Sequence, residues 1–499
     1  MRRPWTDRPL RAPRPRPARA DPRFLLYAAN SPAGRLITLA LVGGASGALV
    51  RLGGPRLVAA GVAGAVAVAG LLRWWPGSAV ALLLITVALN RFVVPVAGAD
   101  VKPEHVAILL VAGILGLRWA TTARPATRAG AAGTAPAPRA PLRLTAARVA
   151  PACLILYLGL NGLSSLLNAL QPDQSLRLTG LVTLVTLPYF LLPWLIRDGR
   201  DLRRAVMGWL GLATLEALLG LAIMVLYRQG IDLGVQVVLG SPPVPIGTMR
   251  EGNIFGSYLA AAVVAALAFM LSSARARTLL GATGVGGLTL GGVAISLARG
   301  AWLGCVIGVG LVLACRIRTA ARRGVALALL AVALLPLLLA FANSPFLEEA
   351  RFYVEQRLTS LNPDTILNDA TVAERLDTYD KAWEGIAIHP WVGNGTGSFG
   401  QRYYYRSVAQ PAWIGNLELH LLYDTGLWGL LAFSGFLVAS GWEAFRAYRR
   451  SRDPERRALI LALGAGLLVL LVAYQATEAT WLAFTWAHLG LLRAAARAA

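Results

Sequence analysis

Thirteen apolar runs of roughly 17 to 22 residues dominate this chain, and that is the length an α-helix needs to cross the hydrocarbon of a bilayer. They lie near 34–50, 56–72, 78–97, 105–120, 149–170, 178–196, 205–227, 253–272, 278–298, 300–316, 324–342, 421–441 and 458–474, and a shorter run at 481–492 is a candidate fourteenth. Of the 499 residues, 56% are hydrophobic and 15% are charged, against about 25% charged in a soluble domain. No single soluble core is large enough to bury this much apolar surface. The expected fold is an all-α polytopic membrane protein with about 13–14 transmembrane helices and a large helical extracytoplasmic loop.

The formal net charge of +23 invites a nucleic-acid reading, and its distribution argues against one. Loops alternate between two sides. One side carries 34 Lys and Arg against 7 Asp and Glu, and the other carries 13 against 17. Such asymmetry is the positive-inside signal of membrane topology, with attraction to anionic lipid added. The expected partner surface is therefore membrane lipid, not nucleic acid. Basic clusters recur after every second span, as in RDGRDLRR at 197–204 and RAYRRSRDPERR at 446–457. This alternation sets the N-terminus inside and 343–420 outside.

Four regions follow. Residues 1–33 read as a disordered basic cytoplasmic tail, without the apolar stretch of a cleavable signal peptide. Residues 34–342 form a transmembrane bundle with a disordered Ala/Pro/Gly/Arg-rich cytoplasmic linker at 121–147. Residues 343–420 make an extracytoplasmic loop domain, with helices expected near 345–358 and 371–388. Residues 421–499 hold the C-terminal transmembrane helices. Cys153, Cys305 and Cys315 lie in apolar runs without metal-ligand spacing, so no metal site is expected.

Charges near membrane depth are costly and default to functional candidates. In SLARGAWLG (296–304), Arg299 stands between two apolar runs at the outer face. In ERLDTYDKAWEGIAIHPWVGNGTGSFG (374–400), Arg375, Tyr379 and Trp383 follow one another at i, i+4 and i+8. His389-Pro390 should stop that helix. GNGTG at 393–397, with Gly393 and Gly395, then makes a Gly-rich loop of the sort whose backbone N–H groups cradle phosphates, although no Walker sequence follows. In NLELHLLYDTGLWGLLAF (416–433), His420 sits at the mouth of a span, where a histidine can accept a proton near neutral pH. Arg250 lies just before the stretch NIFGS, as a third candidate phosphate contact, and Asn253 is within that stretch. Asn161, Ser165 and Asn168 share one face of the fifth span and read as interhelical hydrogen-bonding glue. Arg91 and Glu216 fall inside apolar runs and are expected to pair with each other.

The order of these motifs resembles the O-antigen ligase / O-antigen polymerase superfamily. An RG pair ends a span, a long outer loop carries R-x7-W and then hPxxGxG, and a His opens the next span before a GLxG turn. The resemblance covers roughly 250–433, and it includes MREGNIFGSYLA at 249–260. One departure is Leu421, where the family often has Asn after the His.

The resemblance implies a metal-independent membrane glycosyltransferase with no cofactor, and attack opposite the leaving diphosphate would make it inverting. It would act in the bacterial inner (plasma) membrane as a multi-pass protein with an extracytoplasmic active site. The donor would be a polyprenyl-diphosphate-linked glycan and the acceptor a glycan, lipid or protein hydroxyl. Arg299 and Arg375 would bind the diphosphate and His420 would activate the acceptor. Guanidinium groups suit that task because they stay charged and contact phosphate oxygens bidentately. The alternative from another class is a flippase or transporter of lipid-linked oligosaccharide. Such a protein needs charge lining a mid-membrane cavity, whereas the notable charges here sit on the outer side.

Overall fold

In the computed structural model the described residues are 71, 74–96, 99–122, 146–237, 243–272, 276–317, 370–404, 414–477 and 480–497, with single positions at 319, 324 and 355. The chain divides into two units, 1–78 and 79–499, and every candidate site residue belongs to the second. Among the described residues there are thirteen helices and two short hairpins. Seven of the helices are long and apolar enough to cross a membrane, so the chain is an all-α polytopic membrane protein. The expected tail at 1–33 and span at 34–50, and most of the spans at 56–72 and 324–342, of the linker 121–147 and of the loop helix at 345–358, lie outside the described residues.

The first described helix, α1 (Gly77–Ala88), stops earlier than expected. Residues 78–97 read as one span, but the backbone leaves the helix after Ala88. The amide of Arg91 donates to Thr248 O at 2.9 Å, and the amide of the buried Asn90 side chain donates to Glu104 Oε1 at 3.2 Å. A hairpin follows, pairing β1 (Val94–Val96) with β2 (Ala99–Val101). Pro95 has no N–H to continue a helix. Beyond the stop, the side chains of Arg91 and Glu216 take other partners, contrary to the expected pair. Arg91 lies exposed and donates from Nη1 to Leu233 O at 2.8 Å. Glu216 is buried and accepts from the amide and hydroxyl of Thr248.

The helices α2 (Pro103–Thr122), α3 (Ala146–Leu167), α4 (Pro172–Leu195) and α5 (Gly199–Arg228) follow the apolar runs closely. A second small hairpin, β3 (Val235–Gln236) with β4 (Val244–Pro245), leads into α6 (Gly252–Ser272). Almost every residue of α6 is buried, which makes it the central helix among α7 (Ala276–Ile295), α8 (Arg299–Cys315) and α12 (Pro454–Ala473). Small residues let these helices approach closely. A Cβ on Gly304 would fall 2.7 Å from Val469 O, and one on Gly308 would meet Val264 and Val469.

Between α8 and α12 come α9 (Ala370–Ile386), α10 (Ser398–Tyr404) and the 34-residue α11 (Leu417–Arg450), which packs most extensively on α3. The last helix, α13 (Ala483–Arg497), is buried along nearly its whole length. At 15 residues it rises about 22 Å, short of the ~30 Å hydrocarbon core. Aromatic edges lock this part of the bundle. Tyr157 of α3 meets Phe433 of α11 at 5.0 Å, Tyr189 of α4 meets Phe436 at 5.1 Å, and Phe436 stacks on Trp486 of α13 at 5.9 Å.

Candidate active site

α11 begins conventionally and then breaks. Asn416 caps it, its side chain accepting from Leu419 N at 2.9 Å. Ten residues later Gly426 adopts φ 65° and ψ −171°, and the helical ladder is interrupted. In an apolar bundle the groups released by such a break need partners. The loop after α9 supplies them. The carbonyl of Tyr423 accepts from Asn394 N at 2.8 Å, and that of Asp424 accepts from Gly395 N at 3.1 Å. On the other side of the break, Leu427 N donates to Pro390 O at 2.9 Å and Trp428 N to Trp391 O at 3.3 Å. Contact this close requires glycine on both strands. A Cβ on Gly393 would lie 2.4 Å from Asp424 O, and one on Gly426 would lie 2.3 Å from the carbonyl carbon of Trp391. Gly393 and Gly395 hold φ of 84° and 85°, a region that disfavours residues with a Cβ.

The polar face of α3 seals the same loop from behind. Ser164 Oγ donates to Asp424 O at 2.6 Å and accepts from Gly395 N at 2.9 Å. Ser165 Oγ accepts from Thr396 N at 3.1 Å, Asn168 Nδ2 donates to Gly393 O at 2.8 Å, and the Thr396 hydroxyl donates to Asn161. The stripe expected to bind helix to helix therefore mainly binds a helix to the Gly-rich loop, with Ser165–Thr179 at 2.8 Å as its link to α4. The amides of residues 393–396 all donate within the protein, so the loop serves here as a clamp on α11.

His420 and Asp424 lie one turn apart on the clamped segment. His420 Nε2 is 3.0 Å from Asp424 Oδ2, with both side chains at most 6% exposed. Asp424 was absent from the residues singled out in the sequence. The His-x3-Asp spacing is the signal that reveals it, because i and i+4 share a helix face.

The turn after α12 gathers the remaining parts. Leu417 N at the start of α11 donates to Tyr474 O at 3.0 Å, and Asn416 Nδ2 donates to Gln475 Oε1 at 3.1 Å. Arg375 Nη2 donates to Ala476 O at 3.0 Å. Gly300, next to Arg299, faces Ala473 and Ala476 so closely that a Cβ there would be 3.3 Å from Ala473 O. Arg299 is the first residue of α8, following the N-cap Ala298. Three segments far apart in sequence thus meet at residues 473–476. The start of α6 is next to them, since a Cβ on Gly256 would contact Ser296 and Ala298. This brings Arg250, which is exposed, and the half-buried Asn253 to the neighbourhood of Arg299.

α9 ends at Ile386, before His389-Pro390 as expected. Its buried face is Thr378, Ala382, Gly385 and Ile386, and it joins Phe399, Ile414, Leu419 and Tyr423 in one apolar cluster. Tyr379 packs against that cluster, its hydroxyl 3.5 Å from Gly415 O. Trp383 projects outward and is 57% exposed, so it does not share the packed surroundings of Tyr379. Lys381 pairs with Asp377 at 2.6 Å, and this hydrogen bond pushes the ammonium pKa up. Among the described residues, no group of three or more His, Cys, Asp or Glu side chains is placed to hold a metal ion.

A family model described as O-antigen ligase matches residues 284–434. The matched stretch contains Arg299, Arg375, Tyr379, Trp383, Gly393, Gly395, His420 and Asp424, while Arg250 and Asn253 precede it. No curated protein matches the chain.

Proposed function

We propose, from the premise that this chain belongs to the O-antigen ligase/polymerase superfamily, that it moves a glycan from a polyprenyl-diphosphate carrier to an acceptor hydroxyl on the outer face of the inner membrane. Membership of that superfamily makes it a membrane glycosyltransferase in general terms. The donor, the acceptor class, the stereochemistry, the independence from metal and the membrane side are the proposal. The observation that carries it is the meeting of the Arg299 segment, Arg375 and the His420 segment at the turn 473–476.

The chemistry runs as a single displacement. The acceptor hydroxyl gives its proton to His420 as its oxygen attacks the anomeric carbon. The bond from that carbon to the diphosphate breaks, and its electron pair leaves on the diphosphate oxygen. Arg299 and Arg375 offset the charge that grows there. Such contacts favour the transition state most where water is excluded. A general base contributes about 10² to 10⁴-fold. Attack opposite the leaving group inverts the anomeric centre. Arg250 and Asn253 are assigned to the donor's phosphate end, and Trp383 to the sugar. Tyr379, Gly393 and Gly395 are assigned to holding the surface that the substrate meets.

The test uses purified full-length protein and its His420→Ala form in detergent, each incubated with a polyprenyl-diphosphate oligosaccharide and acceptor, with and without EDTA. Release of polyprenyl diphosphate by the wild type alone, with an inverted anomer in the product NMR spectrum, is the expected result. A retained anomer overturns single displacement. An inert wild type that moves labelled lipid across liposomes overturns the transferase in favour of a flippase.

A further inference from the structure

The membrane face opposite His420 carries a cleft of about 1160 Å³ where four helices end. α4 passes into α5 through residues 196–198, and α11 passes into α12 through 451–453. Beyond the break at Gly426, residues 427–450 of α11 rise about 35 Å, more than the ~30 Å hydrocarbon core. The cleft therefore lies a full membrane thickness away from the candidate active site. Arg200, Arg203 and Arg204 line one wall, and Arg450, Arg452 and Arg456 line the other.

Part of this charge is engaged within the protein. Arg203 Nη1 reaches across to Glu455 Oε1 at 3.0 Å, and Arg456 donates to the carbonyls of Ala495 and Ala496 at 3.2 and 2.9 Å. Arg204 is 3.6 Å from Asp201. The lining carboxylates of Asp198 and Asp453 cap helices, accepting from Asp201 N at 2.8 Å and from Glu455 N at 2.9 Å. Among the described residues, the exposed guanidinium groups of Arg200, Arg450 and Arg452 make no ion pair or hydrogen bond. Three like charges around one concave space repel each other, and the field they focus there draws in an anion.

We propose that this cleft is a discrete site for the phosphate headgroup of an anionic phospholipid. Guanidinium groups contact phosphate oxygens bidentately and keep their charge. Only three residues join each pair of helices, so the arginines sit at headgroup depth. Below them the lining turns apolar. Leu202 and Leu459 are buried, and Met207 lies about 12 Å further along α5 than Gly199, toward the hydrocarbon. A phosphate above and an acyl chain below match that gradient, whereas a free phosphate ion meets only its upper part. The volume is also above the roughly 300–1,000 Å³ of small-molecule pockets. Basic pockets between spans hold acidic headgroups in this way. The positive charge expected from the sequence acts on lipid diffusely, but two walls joined by the Arg203–Glu455 pair give it a fixed place. The site stands apart from the transferase reading, because its test counts bound lipid and not turnover.

Native mass spectrometry of the purified full-length protein in detergent, titrated with phosphatidylglycerol or with phosphatidylcholine, counts the lipids held. Wild type should hold one phosphatidylglycerol more tightly than any further copy, and at least about tenfold more tightly than phosphatidylcholine. Arg200→Gln/Arg452→Gln, with one substitution on each wall, should weaken that first copy at least about tenfold. Arg148→Gln/Arg449→Gln removes the same charge from exposed positions outside the cleft and should leave it in place. Equal weakening in the two double variants overturns the site and leaves only diffuse attraction. Equal retention of the two lipids by wild type also overturns it. A third titration uses inorganic phosphate alone. If phosphate binds wild type and not the cleft variant, while no phosphatidylglycerol is held, the cleft belongs to a soluble anion and the lipid assignment falls. If the cleft variant loses its fold in a thermal scan, Arg452→Gln beside Arg449→Gln decides. Weaker lipid retention confined to Arg452→Gln supports the site, and equal retention by the two overturns it.

Discussion

Gly395 donates its amide to the carbonyl of Asp424 at 3.1 Å, across the point where α11 ceases to be helical. That bond joins the loop after α9 to the span that carries His420. It also explains how a broken helix survives in an apolar bundle: four backbone groups at the break, on Tyr423, Asp424, Leu427 and Trp428, pair with residues 390–395. The loop and the break form one structure, and neither has satisfied hydrogen bonds without the other.

Gly426→Ala tests this directly. The substitution imposes a Cβ at φ 65° and drives it into the Trp391 carbonyl. Backbone strain of this sort costs on the order of 1–3 kcal/mol before the clash is counted. A lower unfolding midpoint in detergent is expected. Gly441→Ala, in the same helix with nothing within 4 Å of the added carbon, should leave the midpoint unchanged or raise it. Equal midpoints for the two variants would contradict the clamp.

Ser164→Ala removes one side chain that both donates to Asp424 O and accepts from Gly395 N. Asp424 O and Gly395 N keep their bond to each other, so the loss is that of the shared hydroxyl's hydrogen bonds, about 0.5–1.5 kcal/mol. Thr183 bonds only one turn back within α4, to Thr179 O at 2.8 Å, so Thr183→Ala should stay within about 0.5 kcal/mol of wild type. Chemical unfolding of the two variants side by side measures the difference.

Arg299→Ala and Arg375→Ala should each lower kcat/KM by about 10² to 10³-fold, the usual cost of losing one donor to a developing anion. Lysine at either position should recover little, because a point charge does not reproduce bidentate contact with phosphate oxygens. Steady-state release of polyprenyl diphosphate is the readout. A lysine variant with wild-type kcat would show that charge alone suffices.

Tyr379 and Trp383 should separate cleanly. Tyr379→Phe keeps the ring in the apolar cluster and gives up the hydroxyl's 3.5 Å contact to Gly415 O, so stability and activity should remain near wild type. Trp383→Ala removes an exposed ring. Its stability should change by less than about 0.5 kcal/mol, while KM for the glycan donor should rise severalfold. An unchanged KM removes Trp383 from the substrate-binding set.

Much of this was legible before any coordinates. Run length gave the polytopic class, and the helices at 146–167, 172–195, 252–272 and 454–473 sit where apolar runs put them, because a span's length and composition answer to the bilayer. The stop of α9 before His389-Pro390 was equally local, since a proline restricts the residue before it. The early end of α1 was less legible. Its cause is a set of bonds from Asn90 and Arg91 to residues 104 and 248, which hydropathy does not register.

What the sequence by itself determined is the membrane class, most helix boundaries and the small set of polar residues from which a site could be built. These depend on neighbours within a few turns. The tertiary structure alone decided that the segments of Arg299, Arg375 and His420 meet at residues 473–476, and that GNGTG clamps a broken helix and holds the backbone of Asp424. Those outcomes rest on hydrogen bonds between groups tens to hundreds of positions apart, such as Ser164 to Asp424 and Arg375 to Ala476. A backbone carbonyl has the same chemistry at every residue, so only packing selects which one is left for a distant donor to find.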